Sequence, residues 1–257
     1  MSVVEADPRP AGPTRQAELS WVEHLTELRR RMLICIAALA VATVVAWFFY
    51  DPLLHFMIGP YRRYLLHHPG RDISRGNLVV IGPLEGFTTR LKVSAYAGTV
   101  LASPVWIWQA WRFVAPGLYQ REQRGAIAFT GSALALFGLG VGTAVAVFPK
   151  ALNWLISVGG TGTAPLFTPS RYLGLYTAAC VVFGVVFTYP VFLVGLEMAG
   201  VVTSRTLRRR RRYAIVACCS IAAVITPSGD PFSFLALALP MIIFYEAAIF
   251  TGRVLGK

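Results

Sequence analysis

Apolar positions along this chain gather into six long blocks, Met32–Tyr50, Val93–Trp111, Ala126–Phe148, Tyr172–Leu196, Tyr213–Thr226 and Phe232–Thr251, divided by short basic segments. The blocks are too long and too numerous for one soluble core. A helix rises about 1.5 Å per residue, so roughly 20 apolar residues cross a hydrocarbon core about 30 Å thick. The pattern predicts an all-α integral membrane protein with six transmembrane helices. The third and fourth blocks are long enough and the first two nearly so. The fifth would cover only about 21 Å at that rise, so the last two spans are expected to be short, thinning the bilayer or packing as a shallow hairpin.

Residues 1–20, rich in Pro, Ala and Arg, are expected to form a mobile tail ahead of a single membrane domain over 21–257. The first span ends in Trp47-Phe48-Phe49-Tyr50 with no small-x-small cleavage site, so it reads as a retained helix. Connections at Val114–Gly125 and Val201–Arg212 are tight, whereas those at Asp51–Lys92 and Pro149–Arg171 are large. Mixed apolar and basic patches at Pro52–Leu66 and Leu84–Leu91 predict a cap of short amphipathic helices on one membrane face. Pro60, Pro116 and Asp230 are expected at structural positions in that cap and in turns. Pro104 and Pro190 fall inside spans and predict kinks, hence a cupped bundle.

Composition agrees. Charged residues are 14% of the chain, against about 25% in soluble domains, and the mean hydropathy is +0.59. The net charge of +12 would fit nucleic acid, but its distribution does not. With six spans both termini share a side, and that side holds sixteen of the 24 Lys and Arg residues: Arg9, Arg15, Arg29–Arg31, Arg112, Arg121, Arg124, Arg205, Arg208–Arg212, Arg253 and Lys257. The positive-inside rule then makes both termini cytoplasmic. The run Arg208–Arg212 is expected to anchor at anionic headgroups, and no nucleic-acid role is assigned. Cys35, Cys180, Cys218 and Cys219 lie within apolar blocks as small buried hydrophobes. No catalytic motif, metal-ligand spacing or cofactor signature is present, and no histidine lies within a span, so no enzyme is expected.

The 12 acidic residues leave few candidates for binding chemistry. Glu27, four residues before Arg31, and Glu122, beside Arg121 and Arg124, stand on the basic side. Local pairing is one account of them. The other is reception of a cationic ligand.

The string Glu23–Arg31 (EHLTELRRR) resembles the amino-terminal signature of the TatC family, the core subunit of the twin-arginine protein translocase. Phe113–Arg124 (FVAPGLYQREQR) is similar to that family's first cytoplasmic loop, Leu84–Lys92 (LEGFTTRLK) to its entry into the second span, and Thr226–Ser233 (TPSGDPFS) to its last outer turn in an actinobacterial form. The resemblance covers almost the whole chain after residue 20. It implies a receptor in the cytoplasmic membrane of a bacterium that binds twin-arginine signal peptides of folded precursors. Export would be driven by the proton-motive force, with TatA- and TatB-type single-span subunits and other TatC copies as partners. On that likeness Glu27, Glu122, Phe113 and Arg121 would meet the signal peptide.

In one place the chain departs from the family. Where the fourth span commonly reads F-E-x-P, this chain reads Phe187-Thr188-Tyr189-Pro190. Thr188 and Pro190 are expected at an interface with a partner helix, where a restored glutamate would be accepted. A small secondary transporter or channel is the alternative reading. It would call for polar midplane residues and paired repeats, whereas only Ser, Thr and Cys stand at that depth.

Overall fold

The computed structural model describes residues 13–66, 78, 80–114, 123–159, 167–198, 202–226 and 228–254. Every regular element among them is an α-helix: α1 Pro13–Phe48, α2 Tyr50–Leu66, α3 Glu85–Leu101, α4 Ser103–Val114, α5 Gln123–Val158, α6 Pro169–Met198, α7 Ser204–Arg209, α8 Arg211–Ile225 and α9 Pro231–Val254. The expected tail over 1–20 is shorter than the composition implied. Pro13 suits a first helical turn, and no glycine or second proline interrupts the chain before Arg31, so α1 is already formed there. Residues 1–12 lie outside the described residues.

Four of the six expected spans are single helices of spanning length and hydropathy: Leu25–Phe48, Phe129–Val158, Pro169–Glu197 and Pro231–Gly252. The second is instead a broken pair, α3 and α4, meeting at Ala102. Pro104 has no N–H for the Val100 carbonyl, and its ring crowds that oxygen. It therefore opens a new helix where a kink was expected. The Trp106 indole N–H donates to the Thr99 carbonyl beside the break, at 3.1 Å. The fifth span, α8, has 15 residues, about 22 Å of helix. The last is not short, since α9 has 24 residues, about 36 Å.

The first ten residues of the segment expected as a loop, Pro149–Val158, continue the helix α5. Phe148, Ala151, Leu152 and Ile156 keep a helical stripe going, and it buries against the cap. Similar logic ends α1. Pro52 cannot donate to the Phe48 carbonyl, so the chain turns at Phe49 and starts α2. That cap helix contains Pro60 and buries Met57, Tyr61 and Leu65 among Phe148, Leu152 and Tyr172. The Tyr172 hydroxyl donates to the Met57 carbonyl at 2.8 Å.

At the centre α6 packs against α3, α5 and α9, while α1 lies on α3 and α8 on α9. Two close approaches need glycine. A Cβ on Gly140 of α5 would stand 2.4 Å from the Phe183 carbonyl oxygen of α6, and one on Gly98 of α3 would stand 2.6 Å from Thr43 Oγ1 of α1. Between α1, α2, α3, α5 and α6 lies an apolar concavity of about 440 Å³, walled by residues such as Ala46, Phe49, Met57, Tyr96 and Tyr176. Asp230 caps α9, its Oδ1 accepting from the Ser233 N–H at 2.7 Å and its Oδ2 from the Ser228 hydroxyl.

Candidate functional site

The bundle has two ends. At one, α2 forms the cap. At the other, the beginnings of α1, α5 and α8 meet the far ends of α4, α6 and α9. Trp111 of α4 organises that second end. Its ring stacks on Phe129 of α5 (centroids 4.7 Å apart) and meets Phe192 of α6 edge-on at 6.1 Å. It fits only because Gly195 has no side chain, since a Cβ there would lie 2.1 Å from the indole. Aromatic packing of this kind fixes the end of α4, and Phe113 stands half-buried two residues further on.

Glu27 reaches this end from α1. Its Oε1 accepts from Arg31 Nε at 3.2 Å and from the other end of the same guanidinium, an i,i+4 clasp. Arg31 also donates to the Gln109 carbonyl of α4 at 3.5 Å. The arginine side chain is 13% exposed and the glutamate 46%. Arg31 thus buttresses α1 against α4, and Glu27 presents its carboxylate at the surface one turn from a half-buried cation. The structure brings Glu27 and Phe113 to one end of the bundle through Arg31 and Gln109. Glu122, Arg121 and Pro116 lie outside the described residues.

Thr188 and Pro190 are not on an exposed face. Both are buried, Thr188 at 2% exposure. Its hydroxyl donates to the Val185 carbonyl of its own helix at 2.6 Å. The expected partner-facing surface there is replaced by packing within this chain's own core.

Two arrangements escaped the sequence reading. Arg90 sets its guanidinium over Trp47 and Tyr50 (4.9 and 5.0 Å to the ring centroids) and donates to the Trp47 carbonyl at 3.1 Å, tying α3 to the end of α1. A basic residue just ahead of a span, level with an aromatic cluster at the end of another, was the available signal. The second is Glu197 near the end of α6. It is 1% exposed, lies against Gly252 of α9, and neither carboxylate oxygen has a hydrogen-bond partner among the described residues. Nothing in its spacing announced that isolation.

Fold and site together define a polytopic helical membrane protein that presents a carboxylate and an aromatic side chain where its terminal helices meet. A family model described as Sec-independent protein translocase protein (TatC) matches residues 23–240. The chain belongs to the TatC family. It is 38% identical over 236 residues to a Sec-independent protein translocase protein TatC of Frankia casuarinae, covering 90% of this chain and 64% of that sequence. It is 36% identical over 241 residues to one of Xylanimonas cellulosilytica, covering 92% and 84%. The chain thus spans less than two thirds of the Frankia relative's length. Two crystal structures of the twin arginine translocase receptor TatC superpose with a TM-score of 0.73 at 32% identity. The one in DDM covers 89% of this chain and 99% of its own, the other 91% and 100%. A lone transporter or channel is not favoured.

Proposed function

We propose that this chain is the signal-peptide receptor and core subunit of a twin-arginine translocase in a bacterial cytoplasmic membrane, with both termini cytoplasmic. The observation that carries the reading is the Glu27 carboxylate, half-exposed and clasped by Arg31 at the end of the bundle where Phe113 stands. The glutamate half of the pair faces solvent, and there an incoming guanidinium would meet a carboxylate already held in place by Arg31. Two adjacent arginines of a signal peptide would need two such acceptors, each gaining a charge-assisted bond where water is partly excluded. Glu122 is the second acceptor in this reading, with Arg121 and Phe113 as neighbours. Export of folded precursors, the proton-motive force, and TatA-type, TatB-type and further TatC partners follow from family membership as parts of the same proposal. The role asks for binding and recruitment, not bond-making chemistry.

Site-specific photocrosslinkers at positions 27 and 122, in membranes, are expected to capture a precursor with two arginines and not one with two lysines. Equal capture of both precursors, or capture only from positions 62 and 63 on α2, would overturn the assignment.

A further inference from the structure

We propose that the α7–α8 corner is a binding site for one anionic phospholipid of the leaflet at the termini end. The sequence shows only a run of arginines, and their placement in the fold divides them. Arg211 turns to α9 and pairs with Glu246. Arg209, Arg210 and Arg212, joined by Arg205 from α7, wall a pocket of about 530 Å³ with Thr206 and Tyr213. No acidic side chain lines that pocket, and none of the four arginines has an acidic partner among the described residues. Four like charges around one opening repel one another and focus a positive potential into it. Guanidiniums match the oxygens of a phosphate in a two-pronged geometry that a lone ammonium does not.

The surface below the pocket names the source of that phosphate. From Tyr213 onward α8 carries no charge, and its exposed face is largely apolar: Tyr213 (70% exposed), Val216 (64%), Ala217 and Val224 (84%) recur at helical spacing around one exposed hydroxyl, Ser220. A phosphodiester seated among the arginines would lay its acyl chains along that face. The short span strengthens the point. Fifteen residues of α8 cover about 22 Å against a hydrocarbon core of about 30 Å, so the leaflet thins here and draws headgroups toward the arginines. A free phosphate or a nucleic acid would have no use for the apolar face beneath.

The test is native mass spectrometry of the full chain in detergent, titrated with phosphatidylglycerol or with phosphatidylcholine. Wild type is expected to retain one phosphatidylglycerol in preference to phosphatidylcholine. The triple variant Arg205→Gln, Arg209→Gln, Arg212→Gln should bind it on the order of 100-fold more weakly, from about fivefold per arginine. Arg62→Gln with Arg63→Gln, on the exposed side of α2, should change binding less than about threefold, removing charge but no pocket. Val216→Ser with Val224→Ser should weaken phosphatidylglycerol and leave inorganic phosphate binding unchanged. Should the triple variant not fold, Arg209→Gln alone, expected to lose about fivefold, carries the same test. The proposal is overturned if phosphatidylcholine binds equally, if the two valine substitutions leave phosphatidylglycerol binding unchanged, or if the α2 variant loses as much as the triple.

Discussion

Gly140→Ala would place a methyl group where α5 and α6 touch backbone to backbone. The added Cβ would stand 2.4 Å from the Phe183 carbonyl oxygen and 2.8 Å from its carbon, whereas ordinary contact begins at 3.4 Å. The shortfall is about 1 Å, and a backbone carbonyl cannot rotate out of the way as a side chain can. The helices must part locally. A gap of that size forfeits a quarter to a half of each dispersion contact across it, including those around the buried Ala144, Phe183 and Phe187. Overpacking costs about 1–3 kcal/mol, and the upper end applies because the obstacle is main chain. Alanine returns about 1 kcal/mol through helix propensity, so a net loss of about 2 kcal/mol is expected. Gly138 and Gly142 supply the control from the same helix. Both are exposed and a Cβ on either meets nothing within 4 Å, so alanine there should stabilise by up to about 1 kcal/mol. Unfolding titrated with SDS in maltoside micelles, followed by helical circular dichroism, measures all three. If Gly140→Ala falls within about 0.5 kcal/mol of Gly138→Ala, the close approach of α5 and α6 is not real.

Three shorter predictions rest on polar groups. Glu27→Lys should reduce binding of a twin-arginine peptide more than Glu27→Ala, since it adds repulsion to a lost acceptor; equal binding by both variants and wild type would leave Glu27 a local helix pair only. Glu85, ahead of the second span, accepts from the Ile81 N–H at 2.9 Å, and this bond, with smaller ones from Ser170, Thr168 and Gly82, holds its carboxyl below the ordinary 4.5. The bound carboxylate therefore stabilises the fold above pH 4.5 and loses that contribution as pH falls through its lowered value. Proteolysis of the segment before α3 should accelerate only below that range in wild type, and Glu85→Gln should flatten the dependence. Glu197→Leu, which removes two unsatisfied buried oxygens, should raise stability by about 1–3 kcal/mol in the same SDS titration, and a loss of stability would mean the carboxylate has a partner in the membrane.

Spans were legible because the bilayer imposes a length, and a run of 20 apolar residues has few other uses. Their interruptions were less so. Pro104 and Pro190 look alike in sequence, yet one separates two helices and the other stays inside α6. The difference lies in the neighbours, since the Trp106 indole N–H reaches back to the Thr99 carbonyl beside the break, and no rule about proline reports that. The end of α5 beyond Pro149 was missed for the same reason, because its buried stripe has meaning only once α2 lies across it. At the site, Glu27 and Phe113 stood out by motif. The buttress that joins them, Arg31 to the Gln109 carbonyl, involves main chain and left no trace in residue identity. Glu197 shows the converse limit. Its position near the end of a span was visible, but its isolation depends on Gly252, 55 residues later in the chain and adjacent in space.

Thr188 is where sequence likeness and packing diverge most, and it yields the sharpest test. A threonine where the family commonly has glutamate reads, by likeness, as a partner-facing site that would accept the acid back. In the fold its side chain is 2% exposed and its hydroxyl is already satisfied by the Val185 carbonyl at 2.6 Å. Thr188→Glu would bring a longer side chain and a carboxylate into a core where no cation lies on the neighbouring turns, Tyr189 being engaged with the Met241 carbonyl. An uncompensated buried charge costs about 3–5 kcal/mol, so this variant should unfold at markedly lower SDS than wild type. Thr188→Val, which keeps the shape and loses one modest bond, should stay within about 1 kcal/mol. If Thr188→Glu is as stable as wild type and still exports precursor, then α6 opens at Thr188 to water or to another subunit, and the packing described around Phe187 belongs to a closed state only. If it is unstable, the buried carboxylate within the spans is, among the described residues, Glu197, nine residues and about 13.5 Å nearer the end where Glu27 stands.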